Sequence, residues 1–238
     1  GVMKLSMLRN LAVVGMGTAL LAACDHNDNN RNTPEPEPEP VMLTYEVTIE
    51  NISAAQPLSP VAVLLHGEQS LWQVGESASA ALEVLAEGGD NSDVLATEGT
   101  LATESGSAPV GPGSNESYQL TVSDEQAAYL SVVTMLVNTN DAFTGITNKA
   151  LSEMAVNDSM AMMLPVYDAG TEANSEAAGT IPGPADGGEG FNAERDDADT
   201  VSYHPGVVSS QDTLPDSVLM AEHRFDNPVA RLIITRVE

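Results

Sequence analysis

The chain is short of basic residues, of cysteine and of aromatics, and each shortage removes a class of function. Eight Lys and Arg stand against 35 Asp and Glu, a formal charge of −27. A surface so acidic repels nucleic acid and anionic lipid surfaces, so neither is an expected partner. The only cysteine is Cys24, which excludes a disulfide framework and a cysteine-based zinc site. The histidines are His26, His66, His204 and His223. No two have zinc-ligand spacing, and His66-Gly67-Glu68 lacks the second histidine of a zinc-protease motif. They are read as structural or surface residues. Aromatics are 4% of the chain, and Trp72, the single tryptophan, is read as packing. Glycosidases that work with paired carboxylates usually add aromatic sugar platforms, which are scarce here. There is no Gly-x-Ser-x-Gly elbow and no P-loop. The expectation is a protein that is not an enzyme.

The N-terminal residues read as a targeting segment. Lys4 and Arg9 precede an apolar run over residues 11–22. This pattern reads as a signal peptide over residues 1–23, too short for a comfortable membrane span. Leu21-Ala22-Ala23-Cys24 resembles a bacterial lipobox, which implies cleavage before Cys24 and its lipidation. Each buried CH₂ of the acyl chains would add about 0.8 kcal/mol of membrane affinity. Residues 24–40 read as a tether. Its Pro-Glu alternation stays extended and self-repelling, reaching roughly 50 Å from the bilayer. Residues 41–238 then suffice for one domain with a sizeable core. The expected location is the cell envelope, lipid-anchored.

Within that domain strand signals dominate. Residues 44–49 alternate, with Tyr45, Val47 and Ile49 on one face. Residues 118–122 alternate likewise. Residues 130–137 and 161–166 are denser and read as core strands, and residues 229–237 close the chain as a strand. Helical signals are local: SASAALEVLAE (77–87) ended by Gly88-Gly89, a short turn near 91–97, and a helix-like turn over 123–130 started by Ser123. The class is an all-β antiparallel sandwich with short helical insertions. Residues 171–203 read as a long acidic loop.

Carboxylates gather at two segments, SVVTMLVNTNDAFTG (131–145) and PVYDAGTE (165–172). Asp141 follows the first apolar run; Asp168 and Glu172 follow the second. Two strand ends that deliver three carboxylates to one sheet edge make a site for a hard cation, since Ca²⁺ takes six to eight oxygens. Asn140 offers a further oxygen. The alternative is that these acids merely cap turns, which Asp does readily. Asp196, Asp197 and Asp199 form a weaker cluster without Ca-loop spacing, read as solvated charge.

These two segments resemble the spondin N-terminal domain family. So do YEVTIENISAAQPLSPVAVLLHG (45–67), LWQVGESAS (71–79) with LEVLAEGGD (82–90), and NPVARLIITRV (227–237). The cysteine-free domain is similar to the bacterial branch of that family. The resemblance implies a C2-like sandwich that binds Ca²⁺ at Asp141, Asp168 and Glu172, with glutamate standing where the family has a third aspartate. It also implies an adhesion module whose partner is a protein or glycan at the cell surface. Two other functions are weighed beside it. A metal-dependent hydrolase of envelope or extracellular polymers would need an open metal position and a general base. An acidic spacer would respond to cations only by screening.

Overall fold

Ten strands, two helices and two short 3-10 turns make up the regular structure of the described residues. The structure, a computed structural model, describes residues 35–194, 199–226 and 228–238. The expected signal peptide and Cys24 lie outside them. Residues 35–40 have no regular structure and are exposed. None of the described helices is long and apolar enough to cross a membrane.

The strands are β1 (Met42–Asn51), β2 (Ala62–His66), β3 (Thr100–Ser105), β4 (Asn115–Ser123) and β5 (Tyr129–Met135). They continue as β6 (Ala142–Ala150), β7 (Ser159–Leu164), β8 (Val166–Asp168), β9 (Ser202–Tyr203) and β10 (Ala230–Arg236). They form two antiparallel sheets, β4-β1-β10-β7 and β3-β2-β5-β6-β8-β9. The expected all-β sandwich is therefore the fold.

The period-2 pattern of β1 turns Tyr45, Val47 and Ile49 inward against Leu232 and Ile234 of β10 and Val63, Leu65, Leu130 and Val132 of the facing sheet. All five residues of β2 are buried, because this sheet is covered on both faces. Its second face carries Leu64, Val133, Met135 and Phe143. Helix α1 (Ala80–Gly88) packs there through Leu82, Leu85 and Ala86, with Trp72 beside it. Burying Leu82 and Leu85 stabilises the fold by about 1.5–3 kcal/mol each. Ser79 caps α1 by accepting from Leu82 N–H at 3.1 Å. Gly89 closes the helix at φ 73°, donating to Leu85 O at 2.8 Å. A short helix, α2 (Ser92–Leu95), follows.

Several local expectations change. Residues 161–166 are not one core strand. Pro165 divides them, with β7 ending in one sheet and β8 starting in the other. Proline cannot donate to a ladder, so the break falls where the chain changes sheets. Residues 123–130 hold only a turn, Gln126 N–H to Ser123 O at 3.1 Å, before β5 begins. The acidic segment is better organised than a solvated loop. Ile181 is buried with Val207 and Leu219 in a small separate cluster.

Candidate metal centre

The turn between β5 and β6 is built from polar residues that satisfy their own backbone. Thr139 Oγ1 donates to Leu136 O at 2.6 Å and accepts from Ala142 N–H at 3.0 Å. This holds Asp141 fully buried at the first position before β6. Opposite it, Ala142 pairs with Asp168, the last residue of β8. Asp141 and Asp168 thus meet at one end of the six-stranded sheet.

Asp141 Oδ2 accepts two backbone donors, Thr171 N–H at 2.9 Å and Glu172 N–H at 3.1 Å. Its other oxygen, Oδ1, is buried and has no hydrogen-bond partner. Burial is the main force that pushes the Asp141 carboxyl up to about 7. The Asp168 charge adds to it, the two backbone donors work against it, and Glu87 adds a smaller push. Asp168 Oδ1 accepts from Gly170 N–H at 2.8 Å, and its Oδ2 accepts from Asn174 Nδ2 at 2.6 Å.

Glu172 is held differently. Asn140 Nδ2 donates to Glu172 Oε1 at 2.6 Å. Asn140 Oδ1 accepts from Glu176 N–H at 2.9 Å. Asn140 is a brace that ties Glu172 and Glu176 to the β5–β6 turn. The structure therefore brings Asp141 and Asp168 together and places Glu172 beside them through a bridging amide. Among the described residues no group of three or more His, Cys, Asp or Glu side chains is arranged to hold a metal ion. The donor chemistry nonetheless fits a hard cation: the acids supply oxygen only, and Asp141 presents a buried, unpartnered carboxylate oxygen. Asp196 and Asp197 lie outside the described residues.

Two neighbours of the site went unrecognised in the sequence. His204 is buried, and its Nδ1 accepts from Gly206 N–H at 2.9 Å while Nε2 has no partner. Burial lowers its pKa, against the opposing pull of Asp168. Glu87, in the last turn of α1, is 1% exposed and accepts from Asn192 N–H at 3.0 Å. A charged residue at the end of an apolar helix pattern was the available signal.

The histidine and serine chemistry resolves as structure. His66 Nε2 lies 2.7 Å from Ser131 Oγ, and His66 Nδ1 lies 2.6 Å from Gly67 O. Both residues are fully buried, so substrate has no path to them. Trp72 packs edge-on against Phe143 at 5.1 Å between ring centroids.

Two antiparallel sheets with paired acids at one sheet end define an all-β sandwich. The family Spondin_N, the spondin N-terminal domain, matches residues 54–180. The match spans more than half of the chain, which belongs to that family. The domain is by family an extracellular module. Comparison with the curated proteins finds no match.

Proposed function

We propose that this protein is a non-catalytic, calcium-binding module of the cell envelope, lipid-anchored through Cys24, that binds a protein or glycan at the cell surface. The observation that carries the calcium reading is the Asp141 carboxylate, buried beside Asp168 with one oxygen unpartnered. An anion in that position is costly unless positive charge arrives. Asp141, Asp168 and Glu172 are the residues that would hold Ca²⁺, which when bound would supply the missing charge and fix the loops at this end of the sandwich. Ordered loops on a rigid sheet are where binding residues concentrate. The reading as a non-enzyme rests on the absence of a recognisable hydrolase motif in the sequence and on the burial of the His66–Ser131 pair.

Thermal unfolding of the full chain in EDTA, millimolar Ca²⁺ and millimolar Mg²⁺ at constant ionic strength tests this. A ligand at a hundred times its Kd stabilises by about 2.7 kcal/mol. The expected result is a rise in Tm selective for Ca²⁺ and absent in Asp168→Ala. Equal responses to Ca²⁺ and Mg²⁺, or an undiminished response in the variant, would refute the assignment.

A further inference from the structure

We infer that strand β7 is a docking edge for a second copy of this chain. Two β7 strands would pair antiparallel about a two-fold axis at Ala161 and join two four-stranded sheets into one continuous sheet. The inference is independent of the calcium reading, since β7 carries none of the residues assigned to the cation.

β7 is the last strand of the order β4-β1-β10-β7, so one of its sides has no strand partner among the described residues. Arg236 N–H donates to Asp158 O at 3.0 Å, which fixes the phase of the ladder. Met160, Met162 and Leu164 therefore turn their backbone groups towards β10, and Ser159, Ala161 and Met163 turn theirs to the open side. The side chains of these three are exposed, Met163 to 58%. An open edge is a template for another strand, and proteins usually guard it with charge, proline, irregularity or shortness. The other three edge strands are guarded. β4 carries Glu116, β3 carries Glu104 and faces a register shift at Leu65/His66, and β9 has only two residues. β7, SMAMML, has six residues and no charge, proline or glycine.

A second copy fits because the strand is self-complementary about Ala161. Ala161 would stand opposite its own counterpart and exchange both backbone hydrogen bonds with it. Ser159 would stand opposite Met163 on the outer face, and Met160 opposite Met162 on the inner face. Both inner methionines are half-buried and pack against the core, so the pair would cover their remaining surface with adaptable apolar side chains. Charge selects the same edge. The chain carries −27, so two copies repel, and β7 lets them meet with no acid in the paired segment. The neighbouring β10 carries Arg231 and Arg236, two of only eight basic residues, which offsets part of that repulsion locally. A six-residue pair is short against a standard interface of about 1,200–2,000 Å², so the association is weak.

Sedimentation equilibrium of the full chain in EDTA, from about 10 μM to about 1 mM, tests the inference. Wild type should show a monomer–dimer equilibrium that tightens between about 0.1 M and 0.5 M NaCl, because salt screens the repulsion between like-charged copies. Ala161→Pro removes both central hydrogen bonds, and proline is tolerated on an edge strand where its nitrogen faces outward. It should keep the circular dichroism of wild type and weaken the dimer at least about tenfold. Ala161→Glu and Ala161→Lys each place like charges opposite one another at the axis, so an equimolar mixture should associate more tightly than either alone. Wild type that stays monomeric at both salt concentrations would overturn the inference and leave the edge to a strand of another protein. So would a dimer unchanged in Ala161→Pro, which puts the contact elsewhere on the chain. If Ala161→Pro does not fold, the mixture decides: no gain over the separate variants overturns the two-fold at Ala161.

Discussion

Replacing Asp141 with asparagine should make the metal-free protein more stable at pH 8. Asparagine keeps a carbonyl oxygen for the two N–H groups of Thr171 and Glu172 that Asp141 Oδ2 now accepts. Its amide would occupy the place of the unpartnered Oδ1, near the acceptor Asp168. The charge is what disappears. The folded Asp141 carboxyl sits at about 7 against an ordinary 3.8, and each unit corresponds to about 1.4 kcal/mol. Keeping Asp141 ionised in the metal-free fold at pH 8 therefore costs on the order of 2–4 kcal/mol. For a domain of this size that is roughly 5–10 °C in Tm. Because the folded value is raised, the folded state holds the additional proton between about pH 4 and 7. Wild type should gain stability as pH falls through 7 and lose it as pH rises. Unfolding both proteins in EDTA at pH 5 and pH 8 reads this directly. Asp141→Asn should exceed wild type clearly at pH 8, narrow the gap at pH 5, and show no Ca²⁺ response. A variant less stable than wild type at pH 8, or a gap independent of pH, would refute the reasoning.

Two further perturbations report on the frame. In Gly145→Ala the new Cβ would lie 1.9 Å from Val132 O at φ 157°. Backbone of β5 and β6 must then separate, at a cost above about 4 kcal/mol, so the soluble folded yield should collapse. Glu176 is 2% exposed and accepts from Val208 N–H at 2.8 Å. Burial is the main cause of its rise to about 7, and the Val208 bond opposes it. Its contribution has the same sign as that of Asp141. Glu176→Gln, which keeps the acceptor, should flatten part of the stability gained between pH 8 and pH 5, measured as Tm against pH in EDTA.

Much of the frame was legible because period-2 burial leaves a direct trace: Tyr45, Val47 and Ile49 turn inward as their alternation requires. Strand β6 was not, because its outer half, Ile146 to Ala150, faces neither core fully and reads as mixed composition. β3 failed for the same reason, with no fully buried residue. The dense runs were legible as core but ambiguous in extent. Only the crossing at Pro165 reveals that β7 and β8 belong to different sheets. At the site, Asp141 and Asp168 were legible as strand-end acids. The bracing role of Asn140 was not legible, because an amide beside an acid looks the same in sequence whatever it bonds to. Glu87 was invisible as a neighbour, because 54 positions separate it from Asp141 and nothing in local pattern records that α1 folds back over β6.

The contacts that set the register at this sheet end bear on what a cation could do. Asp168 reaches Asp141 only through the register Ala142↔Asp168, Phe143↔Tyr167, Thr144↔Val166. A slip of one residue would turn Asp168 to the opposite face of the sheet. That register is pinned by burial of Phe143 and Val166, by Phe143 stacking on Tyr167 at 5.2 Å, and by Thr144 Oγ1 donating to Pro165 O at 2.7 Å. None of these contacts involves a carboxylate. Apolar packing therefore brings the two acids together against their mutual repulsion, and under the proposed calcium reading a cation would meet an acid pair that the core has already assembled. Cation binding should accordingly add stability to an already folded domain, unlike small metal domains whose fold depends on the ion.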